Sequence, residues 1–122
     1  MLNTTLASEI FKAFADPTRL RILALLQEGE LCVCHIVEVL GESQPKVSRH
    51  LATLRRAGLV RVRTEGRWKH YALPEKVEGL TARLLDGVSA CLSETPPIRR
   101  DLLRLQKLLR RTCCEPARGS ER

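Results

Sequence analysis

Aromatic residues are nearly missing from this chain: Phe11, Phe14, Trp68 and Tyr71 are all it has, 3% of its 122 residues. Hydrophobic residues nevertheless reach 43%, so the core must be built from Leu, Val, Ile and Ala, which suits packed helices. Also missing is any apolar run near the ~18 residues needed to span a bilayer. The opening MLNTTLASEI lacks the basic-then-apolar layout of a secretion signal. A cytoplasmic protein without membrane contact is therefore expected. No catalytic base, phosphate-cradling glycine loop or acid pair stands out, which argues against an enzyme. No C-x-x-C sits beside a βαβ pattern, so a thiol oxidoreductase is excluded. Cysteines 32, 34, 91, 113 and 114 are odd in number. Without a secretion signal they argue against a disulfide framework and for thiols available to metal or redox chemistry.

What the chain has is charge, unevenly spread. The formal net charge is +7. Residues 1–41 carry 3 basic and 5 acidic groups, whereas residues 42–70 carry 8 basic and 2 acidic. Residues 98–111 form a second basic block, 6 against 1. A basic block inside an otherwise slightly acidic chain is the electrostatic footprint of nucleic-acid binding.

In order, Leu6, Ile10, Phe11 and Phe14 recur at helical spacing and predict a first helix over Leu6–Ala15. Asp16 is a good N-cap and Pro17 a good first residue for a second helix, apolar around most of its circumference and ending near Gly29. Leu31–Leu40, closed by Gly41, reads as a third helix. Glu42 and Ser43 then lead into a fourth, Gln44–Ala57, ended by Gly58. Two short helices joined by a glycine-containing link have the helix-turn-helix layout. In the second of them Val47, Leu51 and Leu54 fall on one face and should point into the core. Leu59–Thr64 and Trp68–Leu73 read as a hairpin around Glu65-Gly66-Arg67. Val77, Leu80, Leu84, Leu85, Val88 and Leu92 predict a helix over Glu75–Leu92. Pro96-Pro97 interrupts the pattern, and Ile98–Arg111 forms a last amphipathic helix with a basic outer face. The expected fold is mainly α with a small β-hairpin, a winged helix-turn-helix (α-α-α-α-β-β-α plus an extra C-terminal helix). Residues 1–92 are expected to hold the DNA-binding and dimerisation domain, 93–111 the additional helix, and 112–122 a flexible tail bearing two cysteines.

The segments ADPTRLRILALL, ELCVC, SQPKVSRHLATLRRAGLV and GRWKHYAL resemble, in order and spacing, those of arsenical-resistance repressors of the ArsR/SmtB family. The resemblance covers roughly residues 6–92. It implies a winged-helix homodimer that represses a double-stranded operator and leaves it when a metal ion or metalloid binds. It further implies that Leu6–Ala15 and Glu75–Leu92 form the dimer interface. No cofactor is then expected for folding, and As(III) or Sb(III) acts as the regulatory ligand. The alternatives within the same fold are a cadmium-, lead- or zinc-responsive repressor and a thiol redox-sensing one.

For DNA, Ser, Lys and Arg near a helix N-terminus hold phosphates, while Gln and Arg reach base edges in the major groove. The candidates are Gln44, Lys46, Ser48, Arg49 and His50 on the helix, with Arg61, Arg63, Arg67 and Lys69 on the wing. His70 is expected to pack beside the hairpin. A dimer places two such helices about 34–36 Å apart, so the operator should be pseudo-palindromic. For the ligand, soft ions accept thiolates, and Cys32 and Cys34 offer a Cys-x-Cys bite. Residues two apart do not face each other on a regular helix, so chelation by both is expected to distort the start of the third helix and thereby the reading helix. The resemblance is incomplete here. Arsenic sensors with this motif often carry a third cysteine one turn on, where this chain has Val37; cadmium sensors add N-terminal cysteines, absent here. Cys113 and Cys114, with Cys91 as a further thiolate, are the other candidate ligands.

Overall fold

The computed structural model describes residues 2–111. It begins with α1 (Thr4–Phe14), capped by the Asn3 side chain, and α2 (Pro17–Leu26), capped by Asp16 with proline in its first turn. In α2 every residue from Ile22 to Leu26 is buried, so this short helix is the axle on which the others pack. Next come β1 (Leu31–Cys32), α3 (Val33–Leu40) and α4 (Gln44–Arg56). Gly41 closes α3 in the left-handed region at φ 69°, which a side-chain-bearing residue would adopt only with strain. Val47, Leu51 and Leu54 of α4 are fully buried, as their spacing predicts.

The hairpin is present, with strands β2 (Arg61–Glu65) and β3 (Trp68–Ala72). Glu65 pairs with Trp68, so the turn is only Gly66-Arg67, with Gly66 at φ 62°. A third strand joins it, which the sequence pattern does not suggest. Leu31 and Cys32 pair antiparallel with Tyr71 and His70, giving the order β1-β3-β2. The expected helix over Leu31–Leu40 is corrected accordingly, since its first two residues are extended.

Two further boundaries differ from expectation. The helix after the wing, α5 (Gly79–Gly87), starts four residues late because Gly79 takes φ 62°, outside right-handed helix; Val88–Leu92 continues it with π-type winding. The last helix, α6 (Pro96–Arg110), includes the two prolines as its first turn, where a missing N–H costs nothing.

Helix α6 lies against α2 and α3, burying Ile98, Leu105 and Leu108. At its centre Asp101, 1% exposed, accepts two hydrogen bonds from the Arg21 guanidinium at 2.7 and 2.9 Å. Arg21 also donates to the Leu40 carbonyl and Arg104 to that of Val39. These cations serve carbonyls that the end of α3 leaves without helical partners. Thus α6 braces the helix that precedes the reading helix.

Candidate nucleic-acid interface and thiol pair

Ser43 starts α4 by accepting the Lys46 amide, and Pro45 presets the first turn. With Val47, Leu51 and Leu54 inward, Gln44, Ser48 and Arg49 stand exposed, and Lys46 sits half-buried in an ion pair with Glu42 at 3.1 Å. His50 turns the other way. Its Nδ1 lies 3.2 Å from an Arg19 nitrogen and 3.8 Å from the Asp16 carboxylate, docking α4 on the α1–α2 corner. Arg19 meanwhile donates to the carbonyls of Ala13 and Lys12 at the end of α1. Burial pushes the Asp16 carboxyl up, but the Arg19 amide and the charges of His50 and Arg19 outweigh it and hold the group below its ordinary value.

On the wing, Lys69 is exposed, and Arg67 stacks over Trp68 at 5.5 Å. Arg61 donates to the Leu73 carbonyl. Arg63 is tied down, bonding Glu30 at 2.7 and 3.1 Å and Glu65 at 3.1 Å. His70 is buried in β3, with Glu65 3.7 Å away. Arg63 beside Glu30 holds that carboxyl below its ordinary value. A depressed carboxyl contributes stability above its unfolded value that is lost as pH falls through the folded one. Acidification is therefore expected to loosen β1 from the wing. Acid unfolding followed by circular dichroism should be less steep for Glu30→Gln than for wild type; identical profiles would show that the clamp contributes nothing.

Between α3, α4 and the wing lies an open groove of about 1040 Å³. Gln44, Ser48, Arg55 and Arg56 line one wall, Arg67, Trp68 and Lys69 another, and Cys34 with Val37 and Glu38 the third. Arg55 and Arg56 are additions to the candidates read from sequence, and their adjacency in the last turn of a basic helix was the available signal.

Cys32 is not in α3 but caps it in extended conformation, φ −67° and ψ 144°. Its sulfur accepts the Cys34 amide at 3.4 Å and lies 3.0 Å from the Cys34 sulfur. The two sulfurs already converge. The expectation that one ion held by both must distort a regular helix is corrected, because only one of the two residues is helical. What Cys32 does belong to is the sheet, opposite His70. Cys34 is disulfide-bonded in this structure, so the pair can hold a soft ion only after that bond is reduced; two metal–sulfur bonds of about 2.3 Å would then bridge sulfurs this close after a small spread. Cys91 is exposed in the π-type segment. Cys113 and Cys114 lie outside the described residues. Among the described residues no group of three or more His, Cys, Asp or Glu is gathered to hold a metal ion, and no helix is long and apolar enough to cross a membrane.

Residues 16–62 match the profile of a family described as bacterial regulatory protein, arsR family. Over 94 residues the chain is 46% identical to the arsenical resistance operon repressor of Escherichia coli (strain K12), covering 76% of this chain and 80% of that one. It is 43% identical over 100 residues to the arsenic resistance transcriptional regulator ArsR1 of Pseudomonas putida, covering 81% and 77%. Among solved structures, it resembles the homodimeric winged helix-turn-helix DNA-binding domain Mb0332 of Mycobacterium bovis, a possible ArsR-family regulator. The TM-score there is 0.62 at 32% identity, over 74% of this chain and 81% of that one.

Proposed function

The chain belongs to the ArsR family of bacterial regulatory proteins, and from that premise we propose that it represses a metalloid-resistance operon and releases the operator when trivalent arsenic or antimony binds its cysteine thiolates. The observation that carries the ligand half is the convergence of the Cys32 and Cys34 sulfurs to 3.0 Å. With the Cys34 disulfide reduced, two soft donors at that separation suit As(III) and Sb(III), which prefer thiolates. Identity to two arsenic-resistance regulators supports the same choice. The remaining cysteines, Cys91, Cys113 and Cys114, complete the candidate ligand set.

For the DNA half, Gln44, Ser48 and Arg49 read the major groove, while Lys46, Arg67 and Lys69 hold phosphates. Arg61, Arg63 and His50 support them: each is engaged with protein partners and positions the wing or the helix. The protein acts as a homodimer on a pseudo-palindromic site, two helices entering successive major grooves. Leu6 and Phe11, exposed on α1 at 44% and 52%, are apolar surface suited to the partner subunit.

Titration of a selected operator duplex tests this reading. Arg49→Ala is expected to cost about 1–3 kcal/mol in affinity if Arg49 reads a base, or to flatten the salt dependence by roughly one phosphate contact if it does not. Unchanged affinity and slope would remove Arg49 from the interface.

A further inference from the structure

Arg19 stands where three helices meet, and all three of its guanidinium nitrogens are in use. Its Nε donates to the Ala13 carbonyl at 2.8 Å and its Nη2 to that of Lys12 at 2.9 Å, both near the end of α1. Its Nη1 lies 3.2 Å from Nδ1 of His50, in the middle of the reading helix. Its own amide donates to the Asp16 carboxylate that caps α2. A guanidinium is planar and only donates, so Nδ1 of His50 is the acceptor. The end of α1 and the centre of α4 are thus bound to one rigid plate.

The core side of α4 is held by contacts of a different kind. Val47, Leu51 and Leu54 sink one face into the core. Apolar burial is non-directional, so it sets how deep the helix lies more than how it is turned. A hydrogen bond prefers a narrow range of angles. The Arg19–His50 bond therefore fixes the turn of α4, and with it the aim of Gln44, Ser48 and Arg49. The frame of reference for that aim is α1, whose exposed Leu6 and Phe11 are the surface offered to the partner subunit.

We propose that Arg19 is a specificity-determining positioning residue: by tying the reading helix to α1 it sets the angle between the two reading helices of the dimer, and so the half-site spacing that the operator must have. This deepens the proposed function and rests on its dimeric operator reading. Half-sites read by such a dimer lie one helical turn apart, about 10–10.5 base pairs. One extra base pair shifts a half-site by about 3.4 Å and turns it by roughly 35° around the duplex. A reading helix held in one orientation cannot follow both displacements, whereas a helix free to rock on its buried face can.

The test uses the full-length protein and two duplexes, the selected operator and the same sequence with one base pair inserted between its half-sites. Fluorescence anisotropy gives the affinity for each. Wild type is expected to favour the first by about tenfold or more, in the range that one mismatched base pair costs. Arg19→Met, which keeps an unbranched stem but no donors, is expected to reduce that preference to below about threefold, because the apolar contacts that remain set no angle. His50→Leu should do the same. His50→Asn should retain the preference, because Oδ1 of asparagine is bonded to Cγ as Nδ1 is and accepts the same hydrogen bond. Equal losses on both duplexes in Arg19→Met and His50→Leu, with the preference intact, would make the joint a scaffold only and overturn the proposal. A His50→Asn variant that behaves like His50→Leu would overturn it too, since the hydrogen bond would then not be what acts. A wild type that binds both duplexes alike would instead overturn the dimeric operator reading, and the proposal with it.

Discussion

Asp101→Ala is expected to destabilise the protein by about 3 kcal/mol, because removing one partner of a buried ion pair leaves the other charge uncompensated. Asp101 is almost fully buried, while the Arg21 side chain keeps 21% exposure. Water can therefore reach the orphaned guanidinium, which puts the cost at the lower edge of the usual range for such breaks. The loss should appear as a lower denaturant midpoint at unchanged slope. The double variant Arg21→Met/Asp101→Leu should recover most of it, since apolar replacement of a buried pair is often neutral or better. A single variant as stable as wild type would mean that α6 is not held through this pair. The same variant should weaken DNA binding by less than it weakens the fold, because α6 packs mainly on α2 and α3 rather than on α4.

The second large effect concerns the response to ligand. Cys34→Ser is expected to bind the operator as wild type does, yet to lose the arsenite effect. The effect at stake is a coupling of typically 1–3 kcal/mol, a 5–150-fold change in operator affinity. Serine keeps the size and polarity that a half-buried position tolerates but offers no soft donor. Fluorescence anisotropy of a labelled operator duplex, with and without arsenite, reads both properties in one experiment. An intact arsenite response in Cys34→Ser would move the sensing site away from α3. The route from thiols to DNA has a physical basis in the sheet, since Cys32 is opposite His70 on the wing and Glu30 just before it grips Arg63.

Much of this was legible in the chain because the signals were local. Asp16-Pro17 announces α2, Gly41 and Gly58 end the two helices of the reading motif, and Gly66 marks the wing turn. The buried face of α4 follows from Val47, Leu51 and Leu54 alone. His50 carried a usable signal too, lying three residues from Val47 and four from Leu54, on the side that turns inward. What the chain hides is non-local. Leu31-Cys32 is too short to show alternation, and Leu31 fits the apolar stripe of the following helix equally well. Its strand character exists only because β3 is there to pair with it. Asp101 sits in a basic helix and resembles a solvated carboxylate; its partner Arg21 is 80 residues away. Arg63 is a DNA candidate from its place on the wing, and its engagement by Glu30 is invisible locally because Glu30 lies in another segment.

Thiolate ligation of trivalent arsenic is expected to release this protein from DNA. It is tested most directly by titrating arsenite into a preformed complex of the reduced wild-type protein and its operator duplex. The complex is expected to dissociate as arsenite is added, with operator affinity falling by the 5–150-fold typical of such coupling, and to re-form when a competing dithiol removes the arsenic. A complex that persists at saturating arsenite, with arsenic demonstrably bound, would contradict it.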